Sequence, residues 1–294
     1  MNNAGIYNLI NGVSADYLNV NDRAIHYGDG LFETILFSNN QLYYWPQHYQ
    51  RLVQSAKQLK LKCPHEQLLL NDIKQLLMSN EISQHKTCAI KIIVTRGAGD
   101  RGYQFIQTTA KENRIVSLSS LNASYSSLLS GSLLSGDLYI CQQQVSINEG
   151  LAGIKHLNRL ENVLARNEWN GSQTENIIDG LLLNANHHVI EGSMSNLFAV
   201  KDNQIFTPDL KLSGVNGIMR KVIIDAAKNN NIRVNIVDLT IDELASMHEI
   251  FISNSLIGMK SVNKIGQTLY QQQDISNVIF KTLLATTNDY VQTV

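Results

Sequence analysis

The chain has 294 residues, 44% hydrophobic and 17% charged, which supports a sizeable core without disulfides and excludes a disordered polypeptide. Its 24 Lys and Arg oppose 25 Asp and Glu with no basic stripe, so neither nucleic acid nor an anionic membrane is an expected partner. Three cysteines without metal-ligand spacing, no bilayer-length apolar run and no secretion-type N-terminus lead us to expect a cytoplasmic protein.

Residues 6–13 predict a short strand broken by Asn11-Gly12, a hairpin signal. Gly28 and Gly30 then flank Asp29, where the backbone turns tightly or approaches something closely. A strand follows with Leu31, Glu33 and Ile35 alternating against Phe32, Thr34 and Leu36, and Asn39-Asn40 ends it in a second hairpin. From Pro46 the pattern is helical; Arg51 lies beside the apolar stripe and can face inward or outward. Residues 68–77 predict another helix and 88–95 a strong strand. That strand runs into RGAGDRGY, a glycine-rich cationic loop suited to gating a carboxylate.

After a strand over 115–118 comes a serine-rich, low-charge region. Residues 1–117 are therefore expected to form a small N-terminal α+β domain, 118–126 a linker, and 127–294 a larger α+β domain. Strands are expected over 138–144 and 176–184. Between them, Lys155 stands just before a helix whose apolar residues Leu157, Leu160, Val163 and Leu164 form one stripe. Further on come a strand ending at Glu191, a small-residue loop, and a hairpin closed at Asp202-Asn203. A glycine-bearing turn then feeds the helix beginning near Ile218 and Met219, an anion site by geometry. Thr240 and Glu243 predict a capping box, 248–255 a strand, 262–265 a final strand, and 275–291 the last helix. His187-His188 lies in a turn without ligand-spaced partners, so no metal site is expected.

Singly these features are weak, and an isolated helix-start lysine is ordinarily a surface charge. Together they supply a lysine for a Schiff base, a carboxylate for a pyridine nitrogen, and an arginine and helix start for a phosphate. Those are the parts a pyridoxal phosphate site requires.

The segments DRAIHYGDGLFET, HYQRL, TRGAGDRGY, LAGIKHLNRLENVLAR, EGSMSNLF and GVNGIMR occur in that order and cover nearly the whole chain. With them the chain resembles the fold-type IV pyridoxal phosphate enzymes, the group of branched-chain and D-amino-acid aminotransferases and aminodeoxychorismate lyases. GIKHLNRLENVLAR and GVNGIMR are most similar to the lyase branch, which converts 4-amino-4-deoxychorismate to p-aminobenzoate and pyruvate in folate biosynthesis. The resemblance implies a two-domain α+β fold, a homodimer, and a cofactor lying between the domains. It makes Lys155 the Schiff-base lysine and proton-transfer base, and Glu191 the partner of the ring nitrogen. Arg51 and the backbone N–H groups of Ile218 and Met219 would hold the phosphate. Ser193, Met194, Ser195 and Asn196 would pass the cofactor on their backbone side, and Asn254 and Ser255 would approach the phosphate. Met219 stands where the aminotransferases typically carry Thr, which removes a hydroxyl contact and leaves the backbone donor. Thr34 is the candidate for protonating the departing fragment, and Arg101, with Arg96 as the alternative, for binding a substrate carboxylate. Two other readings stay open: an aminotransferase of the same fold acting on D- or branched-chain amino acids, and a catalytically silent binding protein.

Overall fold

The structure, a computed structural model, describes residues 7–78, 87–99, 101–105, 111–169 and 176–294. In chain order the elements are β1 (Tyr7–Ile10), β2 (Val13–Ser14), α1 (Arg23–Tyr27), β3 (Gly30–Ser38), β4 (Gln41–Tyr43), α2 (Trp45–Gln58), α3 (Glu66–Met78), β5 (Cys88–Thr95) and β6 (Asn113–Ser120). Then come α4 (Ser127–Ser130), β7 (Leu134–Val145), α5 (Leu160–Arg166), β8 (Ile177–Asn184), β9 (Val189–Gly192), β10 (Asn196–Lys201) and β11 (Gln204–Pro208). The last are α6 (Ile218–Asn229), β12 (Val234–Val237), α7 (Ile241–Ala245), β13 (Glu249–Asn254), β14 (Gly258–Ile265), β15 (Thr268–Leu269), α8 (Asp274–Thr286) and β16 (Val291–Thr293).

Turn chemistry places the hairpins where the sequence predicts them. Asn11, Asn39, Asn40, Asp202 and Asn203 all take φ between 48° and 59°, the left-handed conformation that Asn and Asp tolerate best. Thr240 and Glu243 close the predicted capping box at the start of α7. Two helices, α1 and α4, were not predicted. α1 begins after Asp22, whose carboxylate caps it by accepting from the Ala24 amide, and ends at Gly28 with φ 63°.

The chain divides into two compact units. The first takes in Met1–Ala123, Lys155–Asn158 and Asp289–Val294; the second takes in Ser124–Ile154 and Arg159–Asn288. β6 runs to Ser120, into the expected linker, and the four residues from Lys155 belong with the first unit. The predicted C-terminal helix stops at Thr286, and the chain then adds β16 alongside β4.

Among the described residues, the first unit holds a seven-stranded sheet in the order β16-β4-β3-β5-β6-β1-β2, with every pairing antiparallel. α2 packs on β3, and its Leu52 and Ala56 are buried. The second unit holds a nine-stranded mixed sheet, β12-β11-β10-β13-β14-β7-β8-β9 with β15 on β14. Its core gathers Leu181, Leu197, Ile250, Ile252 and Val262, and Phe198 stacks on Phe251 with centroids 4.9 Å apart. Each such side chain contributes roughly 1.5–3 kcal/mol on burial. Among the described residues, no helix is long and apolar enough to cross a membrane.

Candidate active site

Lys155 is not carried at the mouth of a helix. Residues 155–157 lie against the start of β3. The Lys155 carbonyl accepts from the Phe32 amide at 3.0 Å, the Leu157 amide donates to the Gly30 carbonyl at 3.0 Å, and His156 bridges Leu31. This pairing aims the Lys155 side chain at Phe32, with Nζ 4.3 Å from the ring centroid. Strand alternation puts Phe32 and Thr34 on one face of β3, both half-buried, and the buried Leu31, Glu33 and Ile35 on the other. Helix α5 begins only at Leu160, and its expected stripe is turned outward: Leu160 is 70% exposed, with Val163 and Leu164 also exposed.

Arg51 reaches inward to Glu33. Its Nε donates to Oε1 at 2.8 Å and its second terminal nitrogen to Oε2 at 2.5 Å, while His48 Nδ1 meets Oε2 at 2.6 Å. Burial raises the Glu33 carboxyl, but the Arg51 charge and the hydrogen bonds from Arg51 and His48 outweigh it and hold the group at about 2. Burial depresses His48 more than Glu33 raises it, and the charges of Arg51 and Lys155 push the same way. A neutral imidazole facing a carboxylate carries its proton on Nδ1, which leaves Nε2 as a bare acceptor. That Nε2 has no hydrogen-bond partner among the described residues.

The second unit assembles the other predicted residues around the turn between β9 and β10. Glu191, buried, accepts from the Val215 amide at 2.9 Å and from Asn196 Nδ2 at 3.4 Å. Asn196 also donates to the Val215 carbonyl at 2.9 Å. Val215 in turn bridges Gly153 within the same unit. Asn254 holds the turn through the Met194 carbonyl at 3.1 Å, and Asn162 through the Ser193 carbonyl at 3.0 Å.

α6 starts at Ile218 behind Gly217, and among the described residues no side chain caps it. A Cβ on Gly217 would meet Asn196 Oδ1 at 2.0 Å, so only glycine lets Asn196 sit against this helix start. The Ile218 and Met219 side chains are buried, which leaves their backbone N–H groups as what they can offer an anion.

Three residues of this arrangement carried no sequence prediction. Asp179 is a lone acid in the apolar strand β8; its Oδ1 accepts from Ser193 Oγ at 2.5 Å and its Oδ2 from Ser195 Oγ at 2.6 Å. Burial raises its pKa against those hydrogen bonds and two from backbone amides. Ser195 is therefore committed to shaping the turn through its side chain. Arg220, buried, bonds Thr207, Asn216 and the Pro208 carbonyl and lies in the field of Asp209 and Glu191. Asn162 is the third.

The two arginines expected at a substrate carboxylate part company. Arg96 is buried and committed: it binds both oxygens of Asp29 and the carbonyls of Leu59 and Lys60. Arg101 is exposed.

The donors of each unit, taken by itself, suit part of pyridoxal phosphate. The first offers an amine beside an aromatic ring, as its aldehyde requires, and the second a buried carboxylate oriented by two donors and a helix start without a side-chain cap, as its ring nitrogen and phosphate require.

Residues 30–265 match the amino-transferase class IV family. The chain is 34% identical over 258 residues to an aminodeoxychorismate lyase of Vibrio harveyi, covering 87% of this chain and 90% of that one. It is 27% identical over 249 residues to a D-alanine aminotransferase of Listeria monocytogenes, covering 84% and 82%. The crystal structure of 4-amino-4-deoxychorismate lyase from Pseudomonas aeruginosa superposes with a TM-score of 0.80 at 32% identity, over 94% of this chain and 97% of that one. The chain belongs to the amino-transferase class IV family, and is a pyridoxal phosphate enzyme of fold type IV.

Proposed function

We propose that this enzyme is a lyase that converts 4-amino-4-deoxychorismate to p-aminobenzoate and pyruvate in folate biosynthesis. The observation that carries this reading is the 34% identity to an aminodeoxychorismate lyase along 87% of the chain. Pyridoxal phosphate, when bound, holds the substrate's amine and takes up the electron pair released from the amine-bearing carbon.

The residues then divide the work. Lys155 anchors the cofactor and afterwards takes the proton from the amine-bearing carbon, its amine aimed by the pairing of residues 155–157 with β3. Glu191 holds the ring nitrogen, oriented by Val215 and Asn196. Arg51 and the backbone N–H groups of Ile218 and Met219 bind the phosphate, while Ser195 and Asn254 keep the adjoining turn in shape. As the proton leaves, the ring aromatises, and the bond between the ring carbon and the ether oxygen breaks with its electron pair passing to that oxygen. The released enolate takes a proton on its methylene carbon and becomes pyruvate. Thr34, on the β3 face that also carries Phe32, hands on that proton, and Arg101, which is exposed, binds a substrate carboxylate.

We further propose that the chain works in the cytoplasm, where the thiols of Cys63, Cys88 and Cys141 stay reduced, and that it works as a homodimer. The exposed Leu160, Val163 and Leu164 of α5 form the apolar face that a second copy would cover.

Purified protein supplied with pyridoxal phosphate should release p-aminobenzoate and pyruvate in equal amounts from 4-amino-4-deoxychorismate. The second reading, an aminotransferase, draws on the D-alanine aminotransferase relatives. Keto-acid formation from D-alanine or a branched-chain amino acid, without p-aminobenzoate formation, would establish it instead.

A further inference from the structure

Asp29 is the centre of a cluster that the proposed chemistry does not use. Arg23 Nε donates to its Oδ2 at 2.9 Å, and Arg96 donates to the same oxygen at 2.8 Å and to Oδ1 at 3.0 Å. Two guanidiniums share one carboxylate, so each has donors to spend elsewhere. Arg96 spends its own on the carbonyls of Leu59 and Lys60. Arg23 spends its own on a different stretch of chain: Gly102 O at 2.9 Å, Tyr103 O at 3.0 Å and Gln104 O at 3.5 Å.

The same stretch is held twice more. Tyr27 Oη accepts from the Gly102 amide at 3.2 Å, and its ring lies 5.4 Å from that of Tyr103. Phe105 lies under the Arg96 guanidinium, 3.8 Å from its central carbon. Arg23 itself is fixed to the body of its unit: its amide donates to Gly97 O, and its neighbour Asp22 accepts from Thr95 Oγ1 and Asn113 Nδ2. The residue immediately before this pinned backbone is Arg101, whose side chain remains exposed.

We propose that Arg23 is a positioning residue for Arg101: its planar fork, braced on Asp29, fixes the backbone of residues 102–104 and so sets where the Arg101 guanidinium meets a substrate carboxylate. The proposal rests on the reading of Arg101 as the carboxylate-binding residue. A lysine at position 23 keeps a cation on Asp29 but is a point donor and cannot span Asp29 and three carbonyls together. Tyr27→Phe removes one acceptor from the same stretch and leaves the ring contact.

The test is a double-mutant cycle on the holoenzyme, following p-aminobenzoate formation and the cofactor's visible absorbance. Arg23→Lys should raise KM about tenfold with kcat within about twofold and the absorbance unchanged, and Tyr27→Phe should raise KM about threefold. In the Arg101→Gln background neither change should raise KM further. Additive effects of Arg23→Lys and Arg101→Gln, or an unchanged KM in both Arg23→Lys and Tyr27→Phe, would overturn the proposal while leaving the role of Arg101 intact. An unchanged KM in Arg101→Gln alone would instead overturn the reading on which it rests. If Arg23→Lys does not fold, the Tyr27→Phe and Arg101→Gln cycle decides by the same criterion.

Discussion

Lys155 Nζ stands 4.3 Å from the centroid of the Phe32 ring, on the face of β3 that also carries Thr34. The electron-rich ring face attracts the ammonium by about 0.5–2 kcal/mol and narrows where the amine can point. Lys155→Ala should lower p-aminobenzoate formation by at least about a hundredfold and abolish the visible band of the lysine-bound cofactor. Phe32→Leu, which keeps a half-buried apolar side chain, should cost only about fivefold in kcat. A Lys155→Ala protein that retains near wild-type turnover refutes the assignment.

The Glu33 group makes the fold acid-sensitive. Its ordinary pKa of 4.5 falls to about 2 in the folded chain, and His48 is likewise depressed from 6.5. Both groups therefore bind fewer protons folded than unfolded, so the stability they contribute is present above the unfolded values and is lost as pH falls through the folded ones. For Glu33 the contribution is on the order of 3 kcal/mol, lost between about pH 5 and 2. Denaturant titrations over that range should show this slope in the wild type and a flatter one in Glu33→Gln.

Asp179 is a support for the turn beside Glu191. Asp179→Ala strands two buried hydroxyls and two backbone amides, each worth about 1–3 kcal/mol when left unsatisfied. We expect a lower melting temperature and cofactor release about tenfold faster, read from absorbance during dilution. Unchanged cofactor retention in a destabilised variant would limit Asp179 to folding.

Gly217→Ala tests the contact between Asn196 and the start of α6. The φ of −65° at Gly217 suits alanine, so backbone strain contributes nothing. The added Cβ must displace Asn196 and with it one of the two donors to Glu191. Weaker cofactor binding, measured by titrating the apoprotein and following protein fluorescence, is the expected result.

Leu160→Glu with Leu164→Glu places two charges on the exposed face of α5. If a second copy covers that face, light scattering should find a dimer for the wild type and a monomer for the variant. A dimer in both would move the interface elsewhere.

Local chemistry was readable along the chain. Asn-Gly and Asn-Asn turns, the Thr240–Glu243 box and the limits of β5 follow from φ preferences, capping and side-chain period, all of which act within a few residues. The cofactor family was readable too, because segments such as LAGIKHLNRLENVLAR, EGSMSNLF and GVNGIMR occur together and in order. Tertiary structure decided which partners the individual side chains meet. The apolar stripe of α5 has the same period whether it meets a core or a partner, so periodicity could not say that Leu160 faces outward. Arg96 and Arg101 are five residues apart on one cationic loop, and only the arrival of Asp29 and the Leu59 and Lys60 carbonyls commits the first to structure and leaves the second exposed. Asp179 read as one acid in an apolar strand until Ser193 and Ser195 were folded onto it. For Arg96 and Asp179 the deciding term is the satisfaction of a buried polar group by a partner distant in sequence, and that partner exists only once the strands have paired.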